Sequence, residues 1–212
     1  MLKPYKTVLR DSVTEFTEKK SRFIGRCFRV SSEEEAMARL AEVRKAHSDA
    51  THNCWAYSLS GGGQRFSDDG EPGGTAGMPI MDTLIRRDVK DAIIVVTRYF
   101  GGILLGSGGL VRAYSASASD ALCAAGIGVM TPCAVIAFTT DYTRFGQIEG
   151  FVRAESTVES IDFQENIRFT VSVPSERAKD FIGQIVERTD GRSEPQTVGE
   201  KYAALPQTIN FP

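Results

Sequence analysis

The chain has 212 residues, enough for one large domain or two small ones, and its formal charge of −2 leaves no overall field that would by itself argue for a nucleic-acid partner. No apolar run approaches the ~20 residues a membrane-spanning helix needs. The opening Met1-Leu2-Lys3-Pro4-Tyr5-Lys6 lacks the apolar stretch of a secretory signal, so the chain is expected to be cytoplasmic. The four cysteines, Cys27, Cys54, Cys123 and Cys133, are scattered among apolar neighbours and predict buried thiols rather than a metal site or disulfides.

Charge is unevenly spread. Residues 1–130 carry 17 Lys/Arg against 15 Asp/Glu, and residues 131–212 carry 8 against 12. The excess begins at the N-terminus, where Lys3, Lys6, Arg10, Lys19, Lys20, Arg22, Arg26 and Arg29 face only Asp11, Glu15 and Glu18. On adjacent strands these would form a basic stripe able to meet a polyanion, though a solvated strand surface would look the same.

In chain order, residues 5–9 and 13–17 read as a short hairpin around Arg10-Asp11-Ser12, followed by a strand over 21–30. Arg26 and Arg29 fall on opposite faces of that strand, which places one of them near an edge or turn. Ser31-Ser32-Glu33-Glu34-Glu35 is a helix start, a Ser cap with carboxylates in the first turn. Ala36, Leu40, Val43 and His47 mark its inner stripe, so His47 reads as a packed or capping residue. A strand over 51–59 should turn Trp55, Tyr57 and Leu59 to the core. His52, at its entrance, is the better functional candidate of the two histidines. A flexible loop over 60–64 then leads to the least ordinary part of the sequence.

Asp68-Asp69-Gly70-Glu71-Pro72-Gly73-Gly74-Thr75-Ala76-Gly77 is too rich in Gly, Pro and carboxylates for a regular element. A helix over 80–87 follows. Asp91 to Phe100 contains four consecutive β-branched residues and predicts a strand buried on both faces. That strand carries Arg98 and Tyr99 into Gly101-Gly102, and Gly106-Ser107-Gly108-Gly109 opens a helix over 110–125 bearing Arg112. Glycines that open a helix leave backbone N–H groups pointing outward at the positive end of the helix dipole, a ready site for a phosphate. Tight turns packed on a sheet would use the same glycines. The glycines, then Pro132, over 126–132 read as a domain joint. Beyond it come a strand (133–138), a helix (142–154), two strands (157–163 and 167–173), a helix opened by a Ser175 cap (175–188) and a last strand (197–205). This is β-α-β-β-α-β, the split-βαβ ferredoxin-like pattern. The fold class predicted is α+β in two domains, residues 1–130 and 131–212.

The two long motifs, Phe66 to Gly77 and Arg98 to Tyr114, together with Lys19-Lys20-Ser21-Arg22-Phe23-Ile24 and His52-Asn53-Cys54, resemble the IMPACT family in its bacterial YigZ-like branch. The likeness covers the whole first domain; for the second it rests on the element pattern. It implies for residues 1–130 the α+β fold of the second domain of ribosomal protein five of the small subunit, shared with the galactokinase–mevalonate kinase group. For residues 131–212 it implies a domain similar to the last domain of elongation factor G. Eukaryotic relatives regulate translation by competing for the activator of a starvation-sensing kinase, using a further N-terminal domain that this chain does not show.

Two functions follow as expectations. The first is a non-enzymatic factor that binds RNA, the ribosome or a translation protein. Its anion-binding surface would comprise Gly74, Thr75, Tyr99, Gly101, Gly102, Gly106, Ser107, Gly108, Gly109 and His52. Arg98 and Arg112 would hold phosphates, and Asp68, Asp69 and Glu71 would shape the loop by accepting backbone N–H bonds. The alternative is a phosphotransferase or phosphohydrolase in which those three carboxylates hold Mg²⁺. Against it, G-x-x-x-x-G-K-[ST] is absent and the serine pair of the related kinases is replaced by Gly108-Gly109. No resident cofactor or metal is expected. With only two histidines, no H-E-x-x-H and no G-x-S-x-G, zinc and serine-hydrolase chemistries have no support.

Overall fold

A computed structural model describes residues 3–206. They fall into two compact units, one of residues 5–129 with 204–206 and one of residues 130–203 with 3–4.

The first unit is built on an antiparallel sheet of β2 (Ser12–Glu18), β3 (Ser21–Arg29), β4 (His52–Ser58), β5 (Gln64–Ser67) and β6 (Ala92–Tyr99), in the order β2-β3-β6-β4-β5. The β-branched run of β6 takes the central position and is buried on both faces. Ile94 and Val96 face α2 (Gly77–Arg86) and α3 (Ser107–Ala125), whereas Ile93 and Val95 face α1 (Glu33–Ala46). β4, also interior, behaves likewise. Trp55 and Tyr57 pack under α1, and Cys54 and Ala56, expected to face outward, are fully buried beneath the other two helices. A single inward face was predicted because the expectation assumed one covered side. Helices cover both.

Several local expectations need correction. Residues 5–8 form β1 (Tyr5–Val8), which belongs to a different sheet from β2, so the predicted hairpin between them does not exist. The hairpin is β2–β3. Glu18 pairs with Ser21, and Lys19 and Lys20 form the whole turn at φ +45° and +63°. Both central residues lie in the left-handed region, the geometry whose twist suits a two-residue hairpin but which disfavours lysine. β5 takes in Gln64, expected to end a loop, and residues 65–67, for which no element was predicted. Helices α2 and α3 each begin three residues earlier than predicted and take glycines into their first turns. Cys123 is exposed, while Cys27, Cys54 and Cys133 are buried as free thiols.

Helix α3 ends at Gly126, at φ +70°, and β7 (Ile127–Thr140) begins at once, so the predicted joint over 126–132 is largely strand. In the second unit α4 (Tyr142–Glu155), β8 (Thr157–Phe163), β9 (Ile167–Pro174), α5 (Ala178–Arg188) and β10 (Gln196–Pro206) follow. β7 pairs with β9 and with β10, and β9 pairs with β8, giving the order β10-β7-β9-β8 of a split βαβ sheet. Ile136, Phe138, Phe169 and Val171 meet Ile148 and Val152 of α4 and Phe181 and Ile185 of α5 in its core. Ser175 does not cap α5. It begins a 3₁₀ turn, Ser175–Arg177, and the helix carries no side-chain cap. Among the described residues no helix is long and apolar enough to cross a membrane.

Candidate functional site

The acidic loop between β5 and α2 is held by its own carboxylates. Asp68 accepts from the backbone N–H groups of Gly74, Ala76 and Gly77 at 2.9, 3.0 and 2.8 Å, occupying the donors at the start of α2. Burial works against its charged form, but the three donors outweigh burial and hold its carboxyl below the ordinary range. Asp69, at φ +44°, accepts from Asn53 N–H (2.7 Å) and from the Arg44 guanidinium (2.6 Å). His52 Nδ1 lies 2.8 Å from the Asp69 carbonyl. A carbonyl only accepts, so Nδ1 carries the proton and Nε2 turns toward Glu71 Oε1, 3.8 Å away. Thr75 donates its hydroxyl to the Pro72 carbonyl, while Gly74 takes φ +77°.

Glu71 is the centre of this group. Its Oε1 accepts from Arg98 at 2.6 Å and from the Tyr114 hydroxyl of α3 at 2.7 Å, with all three side chains buried. Arg98 also donates to Ser21 Oγ (3.3 Å), which accepts the Gly101 N–H (3.2 Å), and stacks over Phe23 and Phe100. Cys54 donates to the Asp68 carbonyl at 2.9 Å. Burial pushes its thiol up to about 12 and raises Tyr114 far above the ordinary phenol range. A thiol held protonated is a structural donor and a poor nucleophile. The group ties loop, central strand and helix together. Tyr114, Cys54 and Ser21 were not among the candidate site residues. Their signal was membership of the motifs that carry the family resemblance, which assigned them no role.

Arg98 and Tyr99 are successive strand residues and point to opposite faces. Tyr99 joins His47, the C-cap of α1, through a 2.8 Å bond to Nδ1, and donates to Asp49 at 3.0 Å. Arg26 lies 2.7 Å from His47 Nε2. Tyr99 is therefore not in the Glu71 group.

The second glycine loop forms a different surface. Gly102 and Gly106 take φ +82° and +73° with open space where a Cβ would stand. Gly106 precedes α3 without a side-chain cap, and the first helical bond runs from Leu110 N–H to its carbonyl at 2.9 Å. The N–H groups of Ser107, Gly108 and Gly109 are thus the unsatisfied donors of that terminus. Gly108 needs neither positive φ nor room, since a Cβ there would meet only Arg112 at 3.6 Å. Arg112 is exposed and, with Lys19, Glu18 and Gly109, lines a cleft of about 230 Å³. Gly101 packs against the Lys19–Lys20 turn so closely that a Cβ would lie 2.0 Å from the Lys20 carbonyl. Sequence reasoning counted both lysines in a longer basic stripe. The stripe is not continuous, because Arg22 is bonded to Glu15, Arg26 to His47 and Arg10 to the Ala124 carbonyl.

Both carboxylate oxygens of Asp68 and of Asp69, and Oε1 of Glu71, accept from protein donors. Among the described residues no three His, Cys, Asp or Glu are grouped to hold a metal ion.

Comparison with known proteins gives a consistent result. Residues 19–122 match the Impact N-terminal domain, and residues 138–192 match a domain of unknown function, DUF1949. The chain is 40% identical over 197 residues to IMPACT family member YvyE of Bacillus subtilis (strain 168), covering 92% of this chain and 91% of that protein. It is 34% identical over 178 residues to IMPACT family member YigZ of Escherichia coli (strain K12), covering 82% and 87%. Protein IMPACT homolog of Dictyostelium discoideum matches 42% of this chain and 27% of its own length, at 42% identity. A solved structure titled "Crystal structure of an hypothetical protein" is similar with a TM-score of 0.60 at 30% identity, over 94% of this chain and 99% of that one.

Proposed function

The chain belongs to the IMPACT family, and from that premise we propose that it is a cytoplasmic, non-enzymatic regulator of translation that binds RNA, alone or in the ribosome, at the start of α3. The observation that carries this reading is the contrast between two helix starts. Asp68 occupies the first donors of α2. The first turn of α3 has no side-chain cap, has glycine at 106, 108 and 109, and has Arg112 and Lys19 beside it. Free amides at a helix terminus and two exposed cations recognise phosphate without reading sequence. Arg98, buried on Glu71, serves here as the anchor of the neighbouring loop. Asp68 and Asp69 give both their oxygens to protein donors and Glu71 gives Oε1 to Arg98 and Tyr114, which weighs against the Mg²⁺-dependent phosphotransferase reading.

The test is co-sedimentation with ribosomes and filter binding of RNA across a salt series. Binding should weaken as salt rises, and Arg112→Ala should lower the slope of log K against log salt by about one. Lys19→Gly should weaken binding while easing the left-handed turn. Absence of association at low salt would refute the proposal.

A further inference from the structure

The second unit contains a polar pocket of about 150 Å³ where β7 ends, α4 begins and the chain leaves α5. Thr140, Asp141, Arg144, Asn166, Arg192 and Ser193 line it. Two of its hydroxyls are orphans. Thr140 Oγ1 and Ser193 Oγ are shut from solvent and have no hydrogen-bond partner, in residues that are 6% and 2% exposed. A buried hydroxyl without a partner is a standing cost to a fold, and here both belong to residues that line one space. The space far exceeds the ~10–15 Å³ that a single water requires.

The surrounding groups show what is left to bind. Asp141 caps α4 and accepts from Arg144 N–H (2.9 Å), the Thr143 hydroxyl and the Arg144 guanidinium (2.8 Å). Its oxygens are thus taken, and Arg144 is shared with Asp190 at 3.3 Å. Ser193 is fixed through its backbone, whose N–H donates to Thr189 Oγ1 at 3.2 Å, while Thr189 donates to the Ile185 carbonyl at 2.8 Å. Arg192 makes no ion pair among the described residues. The uncommitted groups are therefore two hydroxyls, one guanidinium and the Asn166 amide, each able to donate and one of them a cation. Donors of this kind suit a compact ligand made of acceptor oxygens and do not suit a cation.

We propose that this pocket binds a phosphate-sized oxyanion, either free phosphate or the phosphoryl end of a larger molecule, through Thr140, Ser193 and Arg192. The test is an NMR titration of the full chain with inorganic phosphate at constant ionic strength, beside a parallel titration with a nucleoside monophosphate. Saturable shifts are expected at the amides of residues 139–141 and 189–193, well away in sequence from the α3 start. Arg192→Ala should abolish them, and Thr140→Val should weaken binding about tenfold. Without phosphate, Thr140→Val should unfold at the same temperature as the parent or higher, because it deletes a hydroxyl with no protein partner. Equal affinity for both probes would identify the free anion as the ligand. Tighter binding of the nucleotide would identify a phosphoryl end. The proposal is overturned if chloride alone gives the same shifts, if Thr140→Val binds phosphate as well as the parent, or if that variant is destabilised without phosphate.

Discussion

At the level of single residues, the Arg98–Glu71 pair decides how the acidic loop is held. Both side chains are almost wholly buried, and Glu71 also receives Tyr114. Removing one partner strands the other charge in the interior. Arg98→Ala is therefore expected to cost about 3–5 kcal/mol, measured by urea denaturation. A loss of RNA binding in that variant alone would say nothing about phosphate contact, which is why Arg112 is the better probe.

His47 makes a second prediction at this scale. An arginine can only donate, so Nε2 accepts from Arg26, Nδ1 carries the proton toward Tyr99, and Tyr99 passes its own to Asp49. Burial first, and Arg26 next, hold His47 below the ordinary imidazole range. The unfolded chain then takes up the proton near pH ~6.5, before the folded chain does. Protons bound by the unfolded state lower stability as pH falls through that window. Urea midpoints should decline from pH 7 toward 5.5, and less so in His47→Gln.

Among the elements, the glycines separate into two kinds that a sequence cannot tell apart. Gly101 is pressed against the Lys20 backbone, and Gly101→Ala should cost at least the ~1–3 kcal/mol of an overpacked core site. Gly108 stands in open space at the first turn of α3, and Gly108→Ala should stabilise the helix by up to about 1 kcal/mol. Thermal unfolding of the two variants should move in opposite directions, with RNA binding reduced in the second. Much of the element order was legible: the β-branched run named the central strand, the Ser32 cap named α1, and the pattern of apolar residues gave the four strands and two helices of the split βαβ unit. The β1–β2 hairpin misled because Arg10-Asp11-Ser12 has ordinary turn chemistry, whereas the true turn is made of two lysines that no turn rule favours. The Glu71 group was half legible. Carboxylates and Arg98 stood out, but partners such as Tyr114 and Cys54 come from remote strands and helices, and their contacts exist only after packing.

For the molecule as a whole, each unit has its own core, Val8 to Ile127 in one and Ala134 to Ile185 in the other. The sole tryptophan, Trp55, belongs to the first. Tryptophan fluorescence should then follow one unit in urea while far-ultraviolet circular dichroism follows both, and the two curves should not coincide. Coincident curves would mean that the units unfold as one.

The turn at Lys19 and Lys20 carries a last implication. Positive charge on most surfaces rides on supple side chains over relaxed backbone. Here two like charges sit on a bend of only two residues, in angles that cost lysine roughly 1–2 kcal/mol each, clamped from beneath by a glycine that admits no substituent. Such a mount fixes where the charge stands. Longer or looser turns bearing the same two lysines would keep the protein's net charge and lose the address.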